Sequence, residues 1–537
     1  MQAGTVFRGA TLIDGSGAPR RLADVTVTGS DITAVTPPGR GDGARVVDAD
    51  GLVLAPGFID MHAHSDLRLL VEPGHEAKVT QGVTCEVLGQ DGLSYAPVDD
   101  RTLPAVRRQI AGWNGDPEGF DWDWRTVGGY LDRLDRSGIA VNACYLVPHG
   151  SVRMLAMGWD DRPATPAELD RMRQLVADGL REGALGMSSG LSYTPGMYAG
   201  TEELVALCEV VAAHGGYHCP HQRSYGAGAL EGYAEMVEVA RRSGCALHLA
   251  HTTMNFEVNA DRADELLALL DAALAEGVDL TLDSYPYLPG STTLAALLPS
   301  WAGEGGPDAT LARLRDPAAR ERIRYAMEVS GSDGCHGVVT DWATIQVSGV
   351  QNPALAGTVG TTVAELARRQ GKDGTAVFLE LLLTDRLGTT ILQHVGHEEN
   401  VRAVMRHRAH TAGSDGLLVG DRPHPRAWGT FPRYLGHYAR ELGVLTLEGA
   451  VARMTGRPAR RLRLLRRGLV RPGYAADLVL FDPDTVADTA TFDQPRQRAA
   501  GIRQVLVGGA AVVDDGRPTG ALPGRTLRRT DEGTEPR

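Results

Sequence analysis

The chain is poor in aromatics, which make up 5% of its 537 residues, and it has no apolar run long enough to cross a bilayer. Cysteine is scarce too. Cys85, Cys144, Cys208, Cys219, Cys245 and Cys335 include no C-x-x-C pair, which argues against a disulfide framework and for reduced thiols. Residues 1–8 have neither a basic n-region nor an apolar h-region, so a cytoplasmic protein is expected. With a formal charge of −13, the chain carries no basic block beyond the short stretch from Arg460-Arg461 to Arg466-Arg467. Nucleic acid and anionic membrane are therefore not expected as partners, and an anionic substrate must be held by local arginines. What remains, at 43% hydrophobic residues, is ordinary globular composition, enough for one large core and a smaller one.

Residues 1–55 hold short β-like runs broken by Gly, Pro and Asp turns. The same texture returns after Gly468, at 476–481 and 505–513. Segments 1–55 and 466–525 are thus expected to build one small β-sandwich, with 526–537 a flexible tail. In between, strand-like runs alternate with helical stripes such as Met172, Leu175, Val176 and Leu180. Eight strand candidates (58–64, 84–88, 141–147, 185–188, 217–221, 247–251, 280–285 and 411–415) are the number a (β/α)₈ TIM-type barrel requires, here over 56–465. The stretch from about 287 to 405 is too long for one βα loop, and an inserted subdomain is expected over about 287–345.

In such a barrel, chemistry sits at the C-terminal ends of the strands. His62-Ala63-His64 closes the first candidate, and residues i and i+2 of a strand point the same way, so both imidazoles can reach one cation. His221 and His251 close two later candidates, whereas His218 and His248 fall out of phase with them. Asp415 closes the last candidate among the small neighbours Gly413, Ser414 and Gly416. Neutral imidazoles and a carboxylate hold zinc while leaving a position for water, whose pKa falls to about 7. A nearby carboxylate can take the water's proton and pass it to a leaving nitrogen.

These residues and their order resemble the amidohydrolase superfamily. Four finer motifs are similar to the D-aminoacylase (N-acyl-D-amino-acid deacylase) group: Gly57 to Asp66, Gly183 to Tyr193, Asp283-Ser284-Tyr285-Pro286-Tyr287 with Gly290-Ser291-Thr292, and Ser414-Asp415-Gly416 followed by His424-Pro425-Arg426. The resemblance implies a barrel plus a terminal β-sandwich, with one or two zinc ions at the barrel mouth. By position, His221 and His251 would hold the tighter zinc, His62 and His64 a weaker one, and Asp415 would be the general acid/base. Tyr285, Ser291 and Arg426 match positions that grip a substrate carboxylate, and bidentate guanidinium pairing suits that task. His149 and Arg223 are further candidate rim contacts.

The chain departs from the family's pattern in two places. Where members carry Asn-Cys-Gly, with the cysteine a zinc ligand, this chain has Gly89-Gln90-Asp91-Gly92. Asp91 would supply oxygen in place of sulfur, a harder ligand that admits other metals, with Cys85 and Glu86 as lesser candidates. Thr253 also stands where a lysine often follows the sixth-strand histidine. The fourth strand lacks the lysine that is carboxylated in hydantoinase and dihydroorotase types, which counts against a cyclic-amide hydrolase. The expected function is metal-dependent hydrolysis of an N-acyl-D-amino acid, a small-molecule substrate. Deacetylation of an amino sugar, cleavage of a cyclic imide, and a catalytically inactive barrel acting as a binding protein are the alternatives.

Overall fold

A computed structural model describes residues 4–530 and 533–536. Its centre is an eight-stranded parallel sheet in simple sequential order. The strands are β1 (Phe58–Asp60), β2 (Val83–Leu88), β3 (Asn142–Pro148), β4 (Gly186–Gly190), β5 (Tyr217–His221), β6 (Ala246–Leu249), β7 (Leu280–Ser284) and β8 (His410–Ala412). The sheet closes between its ends, where Met61 N–H donates to Ala412 O at 3.2 Å and Ala63 bridges Gly416 in parallel. Alternation along each strand sorts the side chains. Ile59, Met61, Cys85, Val87, Cys144, Leu146, Tyr217 and Cys219 fill the barrel, while Phe58, Leu88 and Val147 face the surrounding helices.

Those helices form where the apolar stripes predict them. Pro166–Arg181 opens with a capping box, Thr165 with Glu168, plus a proline in its first turn, and buries Met172, Val176 and Leu180. Thr201–Ala213 buries Leu204, Leu207 and Val211, and Ala263–Ala275 buries Leu266 and Leu270.

The two chain ends join as expected, through a single bonded nine-stranded sheet and not through separate sheets from each end. Val53–Pro56 is its hinge, pairing in parallel with Thr5–Leu12 and antiparallel with Leu478–Phe481. Period-two alternation gives this sheet two jobs. Val53, Ala55, Val479 and Phe481 pack onto the barrel's outer core, whereas Leu54, Leu478 and Leu480 join Phe7, Val25 and Val27 in a core of their own.

Two boundaries differ from expectation. The inserted subdomain does not stop near 345. Its three-stranded sheet takes Gly290–Thr293, Ile345–Gly349 and Thr390–Gln393, because the middle strand needs a partner on each side to cover a core of Leu294, Ile345, Val347, Phe378 and Ile391. The expected tail is also tied down. Leu527–Arg529 pairs with Thr534–Pro536, Thr526 N–H donates to Asp135 Oδ1 at 2.8 Å, and Arg528 reaches Asp132 and Asp135.

Candidate metal centre

β1 stops at Asp60 and the chain bends at Met61 and His62, so the H-x-H pair lies just past the strand and not within it. Its two rings still converge, with Nε2 atoms 3.3 Å apart, because Ala63 is held extended by its bridge to Gly416. β8 likewise ends at Ala412, short of Asp415, whose N–H donates to His62 O at 2.8 Å. Across the mouth, His221 Nδ1 and His251 Nε2 approach to 2.9 Å.

Asp91 sits between the two pairs. One of its oxygens lies 3.5 Å from both His62 Nε2 and His251 Nε2, and the other 3.5 Å from both His64 Nε2 and His221 Nδ1. Asp415 Oδ1 is 3.1 Å from His64 Nε2 and 3.7 Å from His62 Nε2. Two overlapping ligand sets result, one of His62, His64, Asp91 and Asp415, the other of Asp91, His221 and His251, each with its donor atoms within 4.8 Å of one another. The donor set fits divalent ions, and the hydrogen bonding agrees. Asp91 Oδ1 is buried with no hydrogen-bond partner, a costly arrangement for a carboxylate oxygen unless a cation meets it. Of the lesser candidates, Cys85 is buried 3.9 Å from Cys144, and Glu86 is paired with His75 and Lys78, so neither faces the cage.

The backbone places these groups under constraint. Asp91, His251 and Asp415 all have positive φ (54°, 28° and 49°), a conformation that other contacts must hold in place. The Asp91 loop is pinned by Ser188 of β4, whose Oγ accepts from Gly92 N–H at 3.0 Å and donates to Gly89 O. Ser188 thus belongs to the strand that lacks a ligating lysine. A Cβ on Gly190 would stand 2.0 Å from Asp91 O, so only glycine lets the loop approach β4.

A surrounding layer of residues has no role assigned by the sequence pattern. Asp283 accepts the backbone N–H of His251 at 3.0 Å and holds the His248 ring through Nε2 at 3.0 Å, while His62 Nδ1 stands 3.8 Å from it, beyond hydrogen-bond reach. Ser192 Oγ lies 2.6 Å from His221 Nε2, which keeps Nδ1 turned to the cage. Beneath the site, Lys78 is fully buried and donates to Asp60 (2.5 Å) and Ser414 Oγ (2.8 Å), with Glu86 at 2.8 Å, while Asp60 accepts from His62 N–H and Ser414 N–H. Their sequence signal is faint. A lysine within a four-residue helix reads as surface until its carboxylate partners are known.

The predicted substrate residues divide. Tyr285 and Ser291 line the cavity above the cage, together with Trp113, Tyr193, Tyr225 and Phe256. Arg426 is fully buried, with Nη2 2.8 Å from Asp415 Oδ2 and 3.3 Å from Ser291 O, and its guanidinium lies 4.3 Å over the Tyr285 ring. Its Nε and Nη1 have no partner, an unmet demand for anionic oxygens. His149 and Arg223 do not reach the cavity. Each is taken by a carboxylate from a neighbouring helix: His149 Nε2 lies 2.8 Å from Glu203, and Arg223 forks Glu235 at 2.7 and 3.0 Å.

Electrostatics keep the acidic groups charged. Burial pushes the Asp415 carboxyl up, but Arg426 and His64 beside it pull it further down, and the surrounding imidazoles do the same for Asp91. The Tyr285 hydroxyl is pushed up to about 12 by burial and stays a neutral donor at working pH.

A sequence model of the amidohydrolase family matches residues 45–513. D-aminoacylase from Alcaligenes xylosoxydans xylosoxydans is 37% identical over 98% of this chain and 97% of that relative. The chain belongs to the amidohydrolase family, in its D-aminoacylase group. An N-acyl-D-glutamate deacylase from the same organism is 36% identical to this amidohydrolase over 98% of the chain and 96% of the relative. The solved N-acyl-D-glutamate deacylase from Bordetella bronchiseptica, complexed with zinc and a phosphonate mimic of the tetrahedral intermediate, superposes with a TM-score of 0.83. It is 34% identical and covers 98% of this chain and 100% of that one.

Proposed function

We propose that this amidohydrolase removes the acyl group from N-acyl-D-amino acids, releasing a carboxylate and the free amino acid, with zinc or another divalent ion held by His62, His64, Asp91, His221, His251 and Asp415. One observation carries the reading: Asp415 joins the metal cage through Oδ1 and an anion-seeking arginine through Oδ2. A substrate bearing a scissile amide one atom from a carboxylate suits that juxtaposition. The names of the relatives support the D configuration.

A divalent ion in the cage supplies Lewis acidity, polarising a carbonyl and acidifying water. The chain's own residues do the rest. Arg426 lies behind the cavity wall, against Ser291 and Tyr285, and its unpartnered Nε and Nη1 are the cation a substrate α-carboxylate would meet, while Tyr285 donates its hydroxyl from the wall itself. Asp415, ionised at rest, accepts the proton of the attacking water and returns it to the departing nitrogen, so the amine leaves neutral. Ser192 orients the His221 ring, and Asp283 holds the backbone of His251. Apart from Arg426 behind the wall, no second lysine or arginine is offered among the described lining residues of the cavity, and Thr253 stands in that wall. This favours substrates with neutral side chains over those with a second carboxylate. All six cysteines are free and buried, which suits the reducing cytoplasm, and no described helix is long and apolar enough to cross a membrane.

The test is amine release from a panel of N-acetyl-D- and L-amino acids with neutral and acidic side chains, run beside N-acetylated sugars and dihydropyrimidines. Neutral D substrates should give a kcat/KM at least about tenfold above any other class, a difference of about 1.4 kcal/mol in transition-state binding. Preference for a sugar or a cyclic amide would refute the reading.

A further inference from the structure

At the opposite end of the barrel from the histidines lies a cavity of about 590 Å³. It is walled by Leu185, Tyr217, Ala246 and Thr281 near the starts of β4 to β7, by the helix Gly456–Arg461, and by the C-terminal hairpin. Six arginines line it (Arg408, Arg457, Arg460, Arg461, Arg463 and Arg529), against one carboxylate among the described lining residues, Asp279. In a chain of net charge −13 this is a local reversal of sign, and it absorbs part of the one basic stretch the sequence contains.

Part of that charge is met among the described residues. Arg461 pairs with Asp279 at 2.7 Å and Arg408 with Asp271 at 3.1 Å. Arg457 Nη1 donates to the carbonyls of Arg408 and His410, and Arg460 and Arg463 form no ion pair among the described residues. Guanidiniums from distant segments crowd one point. A Cβ on Gly215 would stand 2.7 Å from Arg529 Nη2 and 3.3 Å from Arg463 Nη1. Arginines on and beside the helix Gly456–Arg461 also repel one another. Burial and then Arg460 push Arg457 down, and burial and then Arg457 push Arg453, behind it, down to about 10. The negative end of a six-residue helix favours cations only beside its last carbonyls, and Arg408 and Arg529 come from other elements.

We propose that this cavity binds a small soluble anion bearing more than one phosphate group. Guanidinium forks match phosphate oxygens in geometry as well as charge, and the volume lies within the roughly 300–1,000 Å³ of small-molecule pockets. Leu185, Tyr217 and Leu462 offer an apolar wall to a carbon skeleton attached to the phosphates. The site lies at the end of the barrel remote from the cage, so its occupant is an accessory ligand and not the amide substrate.

Titration calorimetry of the metal-loaded protein with inorganic phosphate, pyrophosphate and tripolyphosphate, at constant ionic strength, tests this. Affinity should rise along the series. R460A/R463A should weaken pyrophosphate binding by at least about tenfold, and R460K/R463K, which keeps the charge but loses the fork, should fall between. Unfolding temperatures of both variants without anion should match the wild type, since Arg460 and Arg463 are exposed. Equal binding by wild type and R460A/R463A, which would place the anion at the metal, overturns the proposal. So does the absence of binding up to about 10 mM, or capture of the protein by phosphatidylserine vesicles without binding of pyrophosphate.

Discussion

Asp415→Asn is expected to lower kcat for an N-acyl-D-amino acid by about three orders of magnitude while leaving most of the bound metal in place. The amide keeps one oxygen near His64 and leaves His62, His64, His221, His251 and Asp91 untouched, so the cage survives. It cannot take up a proton, so the attacking water and the leaving nitrogen lose their carrier. It also removes the negative charge that Arg426 meets at 2.8 Å. Substrate carboxylate should then be bound no less tightly, and the loss should fall on kcat more than on KM. Steady-state kinetics paired with elemental analysis of the same sample check both halves. A kcat within a few-fold of wild type would remove Asp415 from the proton path.

Lys78→Met should cost about 3–5 kcal/mol of stability, the range for removing one partner of a buried ion pair. The side chain is fully buried, and its loss leaves Asp60 and Glu86 without the cation they share. The pH dependence of the effect has a definite sign. Burial alone would raise the Glu86 carboxyl, but His75 and Lys78 hold it down at about 2. Its contribution is therefore complete above the unfolded value of about 4.3 and is lost as pH falls through about 2. The gap between wild type and Lys78→Met should narrow over that acidic window. Thermal unfolding followed by circular dichroism across pH 2 to 7 measures it, and a gap that is small at pH 7 or widens in acid would contradict the assignment. Because Asp60 also holds His62 N–H and Ser414 N–H, the damage should extend to metal retention.

The barrel and its metal-facing histidines were legible because both rest on local pattern. Apolar alternation marks the strands, and imidazoles at strand ends mark the mouth. Strand bounds were less legible. His62, His64 and Asp415 read as strand residues, yet the strands end at Asp60 and Ala412, because the bends there are set by Asp60 and Ser414, which are far apart in sequence. Asp91 was reachable only through the family's pattern, as an aspartate before glycine is otherwise a turn. Its central place between four rings depends on Ser188 and Gly190 from another strand. His149 and Arg223 went astray for the converse reason, since the carboxylates that claim them, Glu203 and Glu235, sit on helices whose packing no local pattern shows. The inserted subdomain outran its expected end at about 345 because its last strand, Thr390–Gln393, pairs with segments more than forty residues away.

Elemental analysis of the protein purified without chelator, set against Asp91→Ala, tests the account most directly. With both Asp91 oxygens facing all four histidines, the wild type should retain at least about one divalent ion per chain and the variant should lose most of it. A wild-type protein that holds no divalent metal, even after incubation with zinc, manganese, nickel or cobalt, would contradict the account at its root.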